Sequence, residues 1–146
     1  MFSKACEYSL RAVIYLATRP PKSRRVRLQE IADAIESPVA FTAKLLQELV
    51  RKDVLVSIKG PNGGFELAGE GDEITLYQVV RAIDGKKLFE KCAIGLKECS
   101  ASHPCPVHKE FVEIRDKLTT VLKSTTVNKA AGSIGKGKSF LASLSS

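Results

Sequence analysis

No long uninterrupted apolar run occurs in this chain, so it offers no transmembrane helix and no membrane as a partner. The opening stretch, MFSKACEYSLRAVIYLA, carries Glu7 and Arg11 inside its apolar pattern, which reads against a secretory leader. A cytoplasmic, reducing setting is therefore expected, and there four cysteines point to metal or redox chemistry rather than to structural disulfides. No C-x2-4-C pair of the kind that starts a zinc knuckle is present. No G-x4-G-K-[ST] occurs, so Gly132–Lys138 is a poor phosphate cradle. There is no internal repeat. From Ser124 to the end there is not one acidic residue.

The 146 residues suit one domain, or a small domain with an appendage, and 44% hydrophobic residues allow a modest core. A net charge of +7 and a pI near 9.3 point to an anionic partner such as nucleic acid.

Helical periodicity runs through 3–18, with Phe2, Cys6, Leu10, Val13, Ile14 and Ala17 in register, Ser3 as N-cap and Pro20-Pro21 as the stop. A basic loop of Lys22, Arg24, Arg25 and Arg27 follows, either solvated or touching phosphate. A short helix at 28–35 is broken by Glu36-Ser37-Pro38. Ser37 as N-cap and Pro38 at the first helical position then restart a helix to about Lys52. Phe41, Leu45, Leu46, Leu49 and Val50 make its apolar side. Ala40, Thr42, Ala43, Lys44 and Gln47 lie opposite. Two helices across a tight turn predict a helix-turn-helix with the second as reader.

Val54–Ile58 and Phe65–Leu67 flank the turn residues Lys59-Gly60-Pro61-Asn62-Gly63-Gly64, which predicts a hairpin wing. Residues 75–83 predict a fourth helix with a Thr75/Gln78 capping box. Beyond it, Val107, Phe111, Ile114, Leu118 and Val121 step by 4, 3, 4 and 3, the pattern of a dimerisation helix. The tail reads as flexible, with Phe140, Leu141 and Leu144 able to dock a last turn. The fold class is thus mainly α with a small β-hairpin wing. Residues 1–85 are a winged helix-turn-helix domain, 86–105 a Cys-rich loop, 106–123 a dimerisation helix and 124–146 a flexible basic tail.

Within that loop Cys92, Cys99, Cys105 and His108 read C-x6-C-x5-C-x2-H. Thiolates and imidazole bind zinc or iron–sulfur clusters. Gaps of six and five residues suit a loop wrapped around a cluster better than around one ion. Cys6 reads as a small core residue, and His103 as solvated. Cys105 and His108 could form a nucleophile pair, but an enzyme would leave the wing unexplained, and so would an electron carrier.

Three stretches, MFSKACEYSLRAVIYLA, LQEIADAIESP and VLVSIKGPNGGFELA, resemble the Rrf-two family of winged-helix bacterial regulators, of the IscR, NsrR and CymR type, over roughly residues 1–122. The resemblance implies a dimeric, non-enzymatic transcription regulator that binds double-stranded promoter DNA. Cysteines after a helix ending in IDG imply its cluster-binding branch, with Cys92, Cys99 and Cys105 as ligands. For the fourth position it offers His108, as in two-iron members, or Glu7 reaching in from the other subunit. A two-iron two-sulfur cluster is favoured and a four-iron four-sulfur cluster is possible. Cluster-free alternatives are control by thiol redox state or a protein partner, or a structural zinc. The DNA-facing set is Ser37, Pro38, Ala40, Thr42, Lys44 and Gln47 on the reader, and Lys59, Gly60, Pro61, Asn62 and Gly63 on the wing. Ala43 stands where the family's IscR type carries an acidic, specificity-setting residue.

Overall fold

The computed structural model describes residues 1–141. Helix α1 spans Lys4–Ala17, α2 Leu28–Ala34 and α3 Val39–Arg51. Strands β1 (Leu55–Ile58) and β2 (Gly64–Leu67) form an antiparallel hairpin in the register Leu55↔Leu67 to Ile58↔Gly64. Then come α4 (Leu76–Asp84), α5 (Lys87–Glu90), α6 (His108–Ser124) and α7 (Val127–Gly135). Ala12, Val13 and Leu16 of α1 pack against Ile31, Ile35, Leu46, Leu49, Leu55, Phe65 and Val79 in one core. Each large side chain buried there contributes about 1.5–3 kcal/mol.

The ends of α1 and α4 secure each other. Ser3 Oγ accepts from Cys6 N at 3.0 Å, which caps α1, while Ser3 N donates to Asp84 Oδ2 at 3.0 Å. The Thr75/Gln78 capping box of α4 is formed in both directions. A second, smaller core gathers Cys6, Val80 and Leu122 with Phe2, Phe89 and Leu118. It seats α6 on α1 and α4.

Helices α2 and α3 end alike. Glu36, at φ 54, donates to Asp33 O, and Ser37 N reaches Ala32 O at 3.0 Å. Asp53, at φ 62, donates to Val50 O, and Val54 N reaches Leu49 O at 2.9 Å. These are Schellman closures with left-handed residues that are not glycine. The first of them makes the turn of the helix-turn-helix.

Four sequence expectations change. Ser37 is not the cap of α3: Pro38 holds that position, and Ser37 Oγ is enclosed without a partner. The Schellman turn uses Ser37 N–H and leaves its side chain facing inward. Thr42 does not face outward either. It is fully buried, and its Oγ1 donates to Pro38 O at 2.8 Å. It lies three residues before Leu45 and four before Leu46, which puts it on the core side.

Residues 86–105 are not all loop, because α5 drops Leu88 and Phe89 onto the second core. Part of the tail is helical, in α7. Thr126 caps α7, Val127 and Ala131 are buried, and α7 lies on α1. Thr75 and Thr126 form a β-bridge, and Leu76 N donates to Thr125 O at 3.0 Å. Short residues there hid the four-residue apolar step from Val127 to Ala131. Leu144 lies outside the described residues.

Candidate functional site: reader, wing and thiol loop

Pro38, Val39, Ala40, Lys44 and Gln47 are exposed along one side of α3. Val39 belongs to this face although its apolar character masked it in the sequence. Lys59, Gly60, Pro61 and Asn62 are exposed at the wing tip. Gly63 N donates to Gly60 O at 2.9 Å, and a Cβ at Gly63 would run into Ile58 O. Val26 adds a further bridge: its N–H donates to Phe65 O at 2.9 Å and its carbonyl accepts from Phe65 N at 2.8 Å.

The basic loop braces this hairpin. Arg25 Nη1 donates to Asn62 O at 3.1 Å, and Arg27 Nη2 to Pro61 O at 2.7 Å. Arg24 and Arg25 also reach Glu70 and Glu66 at 3.4 and 3.7 Å. These arginines set the aim of the wing, and both of the tip's bracing cations stay at its surface.

The four cysteines fall into two environments. Cys6 is sealed between α1 and α4, and burial, with Asp84 beside it, pushes its thiol up to about 12. That makes it an inert core residue. Cys92 is the opposite case. Backbone N–H groups of Leu96 and Ile94 approach its sulfur, and with the Cys105 thiol they hold it below its ordinary value against burial. Gly95, at φ 84, turns the chain so that these N–H groups converge, and Gly95 N itself donates to Cys92 O at 3.1 Å.

Cys99 Sγ lies 3.5 Å from His108 Nδ1, and His108 N donates to Cys105 O at 3.1 Å. His108 is the first residue of α6, so its ring and the Cys105 backbone are set by the helix start. Arg115, further along α6, sends Nη2 to Cys99 Sγ and Nη1 to Lys91 O, both at 2.9 Å. Sequence spacing offers a signal for it: Arg115 is seven residues past His108, on the same helix face.

The predicted donors thus meet as two pairs, Cys92 with Cys105 and Cys99 with His108. Among the described residues no three of them converge as ligands of a single ion. Soft donors, sulfur-directed N–H groups and an imidazole fit a thiolate-bound group in chemistry. Glu7 stands apart on α1, half-exposed and 3.4 Å from Lys4 Nζ.

On α6, Phe111 (39% exposed), Ile114 (54%) and Val121 (53%) form a bare apolar stripe. Leu118 does not share it fully, being half-buried in the second core. Ile94 and Leu96, 56% and 51% exposed, extend apolar surface into the thiol loop. Among the described residues no helix is long and apolar enough to cross a membrane.

A helix-turn-helix, a braced wing and the long helix α6 define a winged-helix, DNA-binding transcription regulator, here with a thiol-rich loop. Residues 2–132 match the Rrf2 family, described as iron-dependent transcriptional regulators, and the chain belongs to that family. It is 36% identical over 129 residues to an HTH-type transcriptional regulator of Aquifex aeolicus, covering 87% of this chain and 88% of the relative. It is 33% identical to the regulator NsrR of Shouchella clausii, over 83% of this chain and 81% of that one. Among solved structures it is similar to CymR, described as the global cysteine regulator of B. subtilis. That match has a TM-score of 0.77 at 25% identity and covers 90% of this chain and 96% of CymR. Members of the family are transcriptional regulators and not enzymes, which accounts for the unused Cys105–His108 nucleophile reading.

Proposed function

We propose that this chain is a dimeric regulator whose promoter binding is set by an iron–sulfur cluster on the 91–108 segment. The carrying observation is that Cys99 Sγ and His108 Nδ1 pair at 3.5 Å, with Cys92 and Cys105 on the same segment that links the winged helix to α6. The family's iron-dependent description and the likeness to NsrR support it. Cys92, Cys99 and Cys105 are the thiolate ligands. His108 is the fourth, with Glu7 of the partner subunit as the alternative. One imidazole among thiolates suits a two-iron two-sulfur cluster. When bound, such a group supplies an iron centre sensitive to oxidation, nitric oxide and cluster supply.

The chain's own residues do the rest. The N–H groups of Ile94 and Leu96 stabilise a thiolate at Cys92. The first turn of α6 sets His108 and the Cys105 backbone, so the loop closes against the same helix that carries the bare apolar stripe. Phe111, Ile114 and Val121 then pair with a second copy, and the loop's shape governs the spacing of the two readers. Pro38, Val39, Ala40, Lys44 and Gln47 face the major groove, with the Ser37 backbone beside phosphate. Lys59 and the Gly60–Gly63 tip meet backbone or minor groove.

Anaerobic purification followed by iron, zinc and acid-labile sulfide analysis tests this. The unmutated protein is expected to hold iron and sulfide, and Cys92→Ser to lose both together with the visible absorbance. Iron retained in Cys92→Ser, or zinc in place of iron, refutes the assignment. His108→Ala compared with Glu7→Ala assigns the fourth ligand.

A second reading has its own support. The Cys92–Cys105 thiol contact and the likeness to CymR favour a cluster-free regulator governed by thiol redox state or a partner protein. Promoter affinity that follows thiol oxidation in iron-free protein would select it.

A further inference from the structure

Arg115 belongs to neither the reader nor the donor set, yet it touches the thiol loop at two separated points. Its Nη1 donates to Lys91 O and its Nη2 reaches Cys99 Sγ, each at 2.9 Å. Lys91 opens the loop and directly precedes Cys92, whereas Cys99 lies in the loop's middle. The planar guanidinium makes both contacts only while loop and helix keep one relative position. Its Nε is enclosed and without a partner, so the head is held by these two acceptors and by packing. Next to it on α6, Ile114 points to solvent from the bare stripe.

We propose that Arg115 is a positioning residue that ties the thiol loop to α6 and tunes whatever group Cys99 binds. The tuning half rests on the cluster reading above; the tether does not. A cysteine sulfur can accept an N–H while ligating iron, so the contact is compatible with a bound cluster. A cation donating to a ligand sulfur favours the more reduced, more negative state and raises the reduction potential. The tether transmits, too: a shift of Cys99 or of Lys91 is felt one residue from Ile114.

The test uses the full chain, cluster-free and reconstituted anaerobically with ferrous iron and sulfide. Arg115→Leu is expected to lower the midpoint potential of the cluster. In cluster-free protein, losing both guanidinium contacts should speed amide exchange across 91–105 at least about tenfold, without changing exchange in α1 to α4. Arg115→Lys keeps the charge and should restore most of the potential. A single ammonium restores less of the exchange protection, because it cannot span both acceptors. An Arg115→Leu protein with unchanged potential and unchanged loop exchange overturns the proposal. If the unmutated protein takes up no iron, the cluster reading fails, and the exchange comparison alone still decides the tether.

Discussion

The wing and the thiol loop both leave the helical body and return to it, but backbone closes one and side chains close the other. In the wing, four ladder positions, the Val26–Phe65 bridge and two arginines on tip carbonyls leave little to vary. The segment from Lys91 to Val107 has no regular element, and its side-chain ties to α6 run through sulfur, imidazole and guanidinium. A shape set by a ladder is fixed before any partner arrives. A shape set by sulfur contacts changes with whatever the sulfurs bind or become. The division suits a regulator, with a rigid reading surface beside a chemically responsive link.

The largest expected effect breaks the wing. Gly64 has φ 150, and a Cβ there would sit 2.5 Å from Val26 O. Gly64→Ala must strain the backbone or open the Val26–Phe65 bridge, at a cost of about 2–3 kcal/mol. Cys99→Ser, in the loop, should shift the stability of cluster-free protein by less than about 1 kcal/mol, because the hydroxyl can keep the part-buried contacts with His108 and Arg115. Urea denaturation of both decides. Equal losses would mean that the two regions are not held differently.

The next effect concerns association. Ile114→Lys places a charge in the bare stripe of α6 and should weaken the proposed dimer roughly 10- to 100-fold, as the loss of one buried aliphatic side chain implies. Sedimentation at graded concentrations reads it. Leu118 is a poorer choice, since it also packs in the second core and its loss would mix folding with association. A monomeric parent protein would remove the stripe's assigned role.

A smaller effect separates wing from loop on DNA. Lys59→Ala should lower the slope of log affinity against log salt by about one unit, the release expected from one phosphate contact. Lys97→Ala removes a cation from the thiol loop and should leave that slope alone. Titrations with a promoter fragment at several salt concentrations compare them. A shift with Lys97 and none with Lys59 would reverse the assignment.

The sequence was legible where one local rule sufficed. Period 3.6 marked α1 and α3, the GPNGG run marked the wing, and Thr75 with Gln78 marked the start of α4. It misled where two rules competed. Ser37 looks like a cap, but the Schellman turn uses its N–H. Thr42 is polar, yet helix phase carries it inward, where Pro38 O satisfies its hydroxyl. In α7, small residues and glycines imitate a linker, although the Thr126 cap and buried Val127 make a helix. For the site, the spacing of Cys92, Cys99, Cys105 and His108 was plain. Their pairing and the part played by Arg115 were not, because both depend on how α6 lies against the loop.

The smallest expected effect sharpens the same contrast from the backbone side. Asp53 sits at φ 62 where α3 hands over to the wing, a conformation that costs an L-residue about 1–2 kcal/mol relative to the right-handed helix. Glycine removes that strain but adds freedom to the unfolded chain, which takes back roughly 0.5–1 kcal/mol. Asp53→Gly should therefore stabilise the fold by about 0.5 kcal/mol, a rise of about 1–2 °C in thermal midpoint. Promoter affinity should not move, since the Val54 N–H to Leu49 O closure that aims the hairpin is kept. The thiol loop should not respond either, because no tie of Asp53 reaches it. Were Asp53→Gly instead to change the iron content or the exchange of 91–105, wing and loop would be coupled through the core, and the two could no longer be treated as separately held.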